Sequence, residues 1–88
     1  MPPSSDPTLD IVLPAHLHAR PAGRLARAAA ELGCRLEITH DGRTVDATGI
    51  LGILGLGATA GATVTIRATG DGAQQAVDDI AQLLRSID

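Results

Sequence analysis

The stretch Leu17-His18-Ala19-Arg20-Pro21 sets a histidine just outside a helix start, an arginine two residues on, and a proline in the first helical turn. The chain then runs through Ala22, Gly23, Arg24, Leu25, Ala26 and Arg27 to Leu32, and the pattern stops at Gly33. Proline suits a first turn because its missing N–H has no intrahelical partner there, and glycine suits a C-terminal stop. His18 and Arg20 therefore fall at the positive end of a helix dipole, which carries roughly +0.5 of an elementary charge beside unpaired backbone N–H donors. A nucleophilic imidazole, a guanidinium and free amides converging on one point make a site for a phosphoryl group bonded to nitrogen. Histidines at helix starts also act as caps or simply face solvent, and nearby arginines are commonly solvated. Spacing alone leaves both readings open.

The elements that must position these residues follow from hydrophobic periodicity. Thr8 to Leu13 alternates, with Leu9, Ile11 and Leu13 on one face, and predicts a half-buried strand. Pro14, Ala15 and His16 end it and lead into the loop that carries His18. The first helix, Ala19 to Leu32, has Leu25, Ala26, Ala29 and Leu32 at helical spacing, with Arg20, Arg24 and Arg27 on its other face. Arg35 to His40 and Arg43 to Ala47 read as a hairpin around Asp41-Gly42, a pair that tolerates the positive φ of a tight turn. The glycine-punctuated run from Gly49 predicts a short helix, Ile50 to Leu56, ending at Gly57. Ala62 to Ala68 is a further strand. Ala73 to Ile87 places Ala76, Val77, Ile80, Leu83, Leu84 and Ile87 on one face of a last helix.

The order is strand, helix, strand, strand, short helix, strand, helix. Each strand is apolar on one face only, so the helices belong on one side of an antiparallel sheet. The expected fold is an α+β open-faced β-sandwich (βαββαβα), a four-stranded antiparallel sheet covered on one face by three helices. Residues 1–7, rich in Pro and Ser, are expected to be a flexible N-terminal tail, and residues 8–88 a single domain.

Composition narrows the functional classes. The chain of 88 residues has a formal net charge of −3 and no Phe, Tyr or Trp, so it lacks the basic groove and stacking rings of a nucleic-acid binder. No apolar run approaches the ~20 residues of a membrane span, and no export signal opens the chain, which leads us to expect a cytoplasmic protein. The single cysteine, Cys34, is expected to be a small buried apolar residue. The glycine-rich run lacks a dinucleotide-binding spacing, and without any lysine it cannot be a P-loop. His16 and His18, with His40, could suggest a metal pair, but no Cys or acidic residue stands at a spacing that completes the shell. No metal and no cofactor is expected. A hydrolase elbow is missing too, since Ser4, Ser5 and Ser86 lie near the chain ends.

With the motif and the element order in hand, the chain closely resembles the HPr family of histidine-containing phosphocarriers of the bacterial phosphoenolpyruvate-dependent phosphotransferase system. Leu17 to Ala22 matches the family's active-site motif, Thr48 to Gly61 its second signature, and Ala62 to Ala68 its last strand. The resemblance implies the fold already reached, and a phosphoryl carrier with a phosphohistidine intermediate rather than an independent turnover enzyme. It implies that His18 accepts the phosphoryl group at Nδ1 from enzyme I and passes it to IIA domains in sugar uptake. Arg20 then neutralises the phosphate, with the Ala19 and Arg20 amides adding donors. Gly23, Arg24, Arg27, Ile50, Leu51 and Leu54 are the expected docking surface of a monomer. A carrier of a non-sugar branch, nitrogen-related or for dihydroxyacetone, is the nearest alternative, and a small-ligand-binding regulatory domain of similar build is the alternative of another class. Two departures stand out. Gly49 takes the place of a regulatory serine, so kinase control there lacks its hydroxyl, and His16 takes a place where the family commonly has glycine.

Overall fold

The computed structural model describes residues 6–88. Its elements are β1 (Thr8–Val12), α1 (Ala19–Glu31), β2 (Arg35–His40), β3 (Arg43–Asp46), α2 (Ile50–Gly55), β4 (Thr63–Thr69) and α3 (Ala73–Arg85). The strands form one sheet in the order β1-β4-β2-β3, with every neighbouring pair antiparallel. Alternation fixes the register, because a slip of one residue would turn each apolar set to water. Ile11 pairs with Val64, and Ile38 pairs with Ile66 on one side and Val45 on the other.

The inner face carries Ile11, Leu36, Ile38, Val64 and Ile66, all buried. Against them lie Leu25 of α1, Ile53 of α2, and Val77, Ile80 and Leu84 of α3. With no aromatic rings to fill wide gaps, small residues bring the layers together. Ala22, Ala26, Ala29, Ala76 and Ala81 line the buried helix faces, where close backbone approach recovers packing density that large side chains would otherwise supply. The outer face is open and polar. Thr65 donates its hydroxyl to Asp10 at 2.7 Å, Arg67 reaches Glu37 across the register at 2.8 Å, and the Thr39 and Thr44 hydroxyls meet at 2.7 Å. This is the open-faced sandwich that the alternating strands require.

The hairpin turn forms as expected, with Asp41 at φ 51° and Gly42 at φ 79°, the twist-matched geometry of a two-residue connection. The first helix starts at Ala19 as expected, and its C-terminal end falls one residue early. Leu32, not Gly33, leaves the helix, turning to extended backbone at φ −81°, ψ 145° while its N–H still reaches the Ala29 carbonyl at 3.2 Å. Cys34 is half-buried rather than buried; it packs against the core edge facing Gly70. The last helix stops at Arg85, where the Ser86 hydroxyl turns back to the Leu83 carbonyl at 2.9 Å, and Ile87 is buried beyond it.

Residues 1–5 of the expected N-terminal tail lie outside the described residues. Pro7 is joined to the sheet, its carbonyl accepting the Ala68 N–H at 3.2 Å.

Candidate functional site

His18 is the N-cap of α1. Its backbone is extended at φ −86°, ψ −169°, and its carbonyl accepts the Ala22 N–H at 2.9 Å. The imidazole makes no capping hydrogen bond and stands exposed. A cap residue normally spends its side chain on the helix amides; here the first amides get no side-chain cap and the ring stays uncommitted to the helix. Pro21 has no N–H and Ala22 is already bonded, so among the described residues the unbonded donors of this helix end are the amides of Ala19 and Arg20.

The loop before the helix is laced to the segment that precedes β4. Leu13 donates its N–H to Ala62 at 2.9 Å and accepts from Gly61 at 2.8 Å, continuing the β1–β4 ladder past its regular end. Leu17 donates to the Ala58 carbonyl at 3.0 Å. Leu13 and Leu17 are both buried, and the buried Leu17 leaves its neighbours His16 and His18 on the exposed side. Between the two leucines, the Ala60 N–H donates to His16 Nδ1 at 3.0 Å.

Arg20 faces the residues that follow the last helix, where its Nη2 lies 3.3 Å from Asp88 Oδ1. Both side chains are mostly in water, with 72% and 85% of their surface exposed. The two residues are 68 positions apart, and no sequence pattern signals the pair.

Helix α2 packs against α1 and β3, and three contacts explain its placement. Asp46 Oδ1 accepts both the Thr48 N–H at 2.8 Å and the Thr48 hydroxyl at 2.6 Å, tying down the approach to the helix. Those two bonds hold the Asp46 carboxyl below its usual range. Arg43 donates to the Gly55 carbonyl at the other end, at 3.3 Å. Gly52 sits over β3 so closely that a Cβ there would lie 3.3 Å from Val45 Cβ. With Ile53 fully buried as the anchor, Ile50, Leu51 and Leu54 are left at the surface, with Leu51 85% exposed. An apolar side chain left this open on so short a helix is more than packing requires.

The remaining sequence candidates are placed as follows. Arg24 and Arg27 are exposed on α1 and Gly23 is half-buried. Gly49 is the N-cap of α2 and offers no side-chain hydroxyl. The three histidines are placed differently: the His18 ring has no hydrogen bond among the described residues, His16 accepts from Ala60, and His40 Nδ1 lies 3.4 Å from the Thr63 carbonyl. Sequence reasoning missed Asp88, Ala58 and Ala60 as neighbours of the site, and Asp46 and Arg43 as supports of α2.

A family model described as the PTS HPr component phosphorylation site matches residues 6–86. The chain belongs to the HPr family. Phosphocarrier protein HPr of Streptomyces coelicolor is 39% identical over 69 residues, covering 77% of this chain and 74% of that protein. Phosphocarrier protein HPr of Cupriavidus necator is 35% identical over 68 residues, covering 77% and 76%. The crystal structure of a phosphocarrier protein HPr from Bacillus anthracis str. Ames superposes with a TM-score of 0.87 at 28% identity, covering 92% of this chain and 99% of that one. The HPr fold is thus shared in full, and the chain is an HPr-type phosphocarrier of the phosphotransferase system. Among the described residues, no helix is long and apolar enough to cross a membrane.

Proposed function

We propose that His18 is the phosphoryl acceptor, loaded by phospho-enzyme I and discharged to IIA domains in sugar uptake. The observation that carries this reading is the free imidazole at the N-cap of α1, beside the two unbonded amides of Ala19 and Arg20. Neutral imidazole is a good nucleophile at neutral pH, since its ordinary pKa is about 6.5. In the transfer step, the His18 Nδ1 lone pair attacks phosphorus. The new N–P bond forms as the donor histidine's N–P bond breaks, its electron pair returning to the donor ring. The three equatorial oxygens develop no new covalent bond, so the protein's part is to orient them and neutralise their charge. The Ala19 and Arg20 amides and the helix dipole supply fixed donors, and the Arg20 guanidinium exchanges the Asp88 carboxylate for the phosphoryl oxygens.

The docking surface is read from exposure and charge. Ile50, Leu51 and Leu54 give an apolar patch on α2, and Arg24 and Arg27 give cations on α1. Such a patch favours acidic partners, with charge speeding encounter and apolar contact giving affinity.

Incubation with phosphoenolpyruvate and enzyme I tests the assignment. The chain should gain one phosphate that is labile in acid and stable in base. His18→Ala should gain none while keeping its circular dichroism, and His16→Ala should still be loaded. Loading of the His18 variant would rule the assignment out.

A further inference from the structure

The loop that presents His18 is fastened at both ends by backbone bonds, Leu13 to Gly61 and Ala62, and Leu17 to Ala58. Between them, among the described residues, no backbone group of Pro14, Ala15 or His16 reaches the facing segment, and the bond from the Ala60 N–H to His16 Nδ1 fills the gap. A side chain thus supplies the rung that the backbone lacks. Because the Ala60 amide can only donate, His16 Nδ1 must be the unprotonated nitrogen, and its ring proton must sit on Nε2.

We propose that His16 is a positioning residue that clamps the phosphorylation loop to residues 58–60 and, by the same bond, keeps its own Nδ1 out of the phosphoryl relay. The inference rests on the carrier reading above and deepens it. Two imidazoles stand on the exposed side of the loop, one residue apart around the buried Leu17. A partner's phosphohistidine approaching this surface meets both. His18 has its lone pair free, whereas His16 must first surrender the Ala60 N–H before Nδ1 can attack phosphorus. The clamp therefore serves selection as well as geometry. It holds the reactive ring in place and silences the neighbouring one, much as a bond to one ring nitrogen fixes tautomer and orientation in other histidine sites.

The clamp can be read without phosphate. In 15N spectra of the unphosphorylated protein, His16 should be the Nε2–H tautomer, with N–H···N scalar coupling between the Ala60 amide and His16 Nδ1. His16→Leu keeps apolar bulk and removes the acceptor; His16→Asn restores an acceptor oxygen at the same bond distance from Cα. The leucine variant should speed Ala60 amide exchange and slow loading of His18 by roughly three- to tenfold, the span expected for one net hydrogen bond, and the asparagine variant should recover both. An Nδ1–H tautomer for His16, or equal loading rates for the leucine and asparagine variants, would overturn the proposal. A wild-type chain that takes no phosphate overturns the carrier reading instead, and the ring spectra tell the two failures apart.

Discussion

The Arg20–Asp88 pair makes a measurable claim about how tightly the carrier holds its phosphate. In the resting protein the guanidinium lies 3.3 Å from the carboxylate, with 72% and 85% of the two side chains in water. An ion pair so exposed stabilises by no more than about 1 kcal/mol and commonly about half that. If Arg20 leaves Asp88 to meet the phosphoryl oxygens, Asp88→Asn removes a contact from the free state alone and tilts the equilibrium toward the phosphorylated form. A carboxylate left near a phosphoryl group of charge about −2 also repels it, and at ~8 Å in water one such pairing of charges costs about 1 kcal/mol. Salt screening reduces that figure, and the two effects together amount to about 1 kcal/mol, or roughly fivefold in the partition. The assay mixes phosphorylated wild type with unphosphorylated Asp88→Asn and catalytic enzyme I, then reads the phosphate on each by mass spectrometry. The variant should hold roughly two- to fivefold more at low ionic strength, approaching parity at 1 M salt, where the Debye length is about 3 Å. In an Arg20→Ala background the exchange part should vanish and only the repulsion remain. Parity at low salt, or a preference for wild type, would refute the idea that Arg20 trades one anion for the other.

Three further outcomes are expected. Arg24→Glu or Arg27→Glu should slow loading from enzyme I by up to roughly tenfold at low salt, with the urea midpoint nearly unchanged; rates indifferent to both reversals would move docking to another face. An HPr-type serine kinase with ATP should leave the chain unmodified, since Gly49 has no hydroxyl and the Thr48 hydroxyl is held 2.6 Å from Asp46; stoichiometric ATP-dependent phosphate on Thr48 would count against this. The Asp46 carboxyl is held below its usual range chiefly by the Thr48 hydroxyl and amide, so its stabilising effect is present above the unfolded carboxylate pKa of about 3.9 and lost as pH falls through the lower folded value. Urea midpoints of wild type and Asp46→Asn should therefore differ at pH 7 and converge in acid, and a gap that persists at low pH would show that charge on Asp46 is not what holds the start of α2.

Much of this fold was legible because its determinants are local. Alternation in Thr8 to Leu13 and Arg35 to His40 set the faces of β1 and β2, and Asp41-Gly42 set the hairpin that fixes their neighbour's register. Helical spacing named Leu25, Ala26, Ala29 and Leu32 as the apolar stripe of α1; the first three are buried, and Leu32, at the C-cap, is half-buried. Gly33 shows where local rules mislead. Glycine after an apolar stripe suggests a left-handed cap, yet Leu32 turns to extended backbone and begins the approach to β2. A helix followed within three residues by a strand gains more from an extended exit than from a left-handed turn.

The parts of the site that stayed hidden are those that depend on distance along the chain. Nothing around Arg20 names Asp88, and nothing around His16 names Ala60, because the two contacts join residues 68 and 44 positions apart. The motif supplies an exposed imidazole, two helix-start amides and a cation from neighbouring positions, which is why the proposed site can be read from five residues. What touches the ring's neighbours comes from elsewhere in the fold: the Asp88 carboxylate against Arg20 and the Ala60 amide on His16, which on the proposed reading compete with the phosphoryl group for the cation and occupy the second imidazole. Chemistry of the transfer is therefore written locally, while its tuning is written in tertiary contacts. Substitutions at Asp88 and His16 should accordingly change how fast and how tightly phosphate is held, whereas substitution at His18 should decide whether it is held at all.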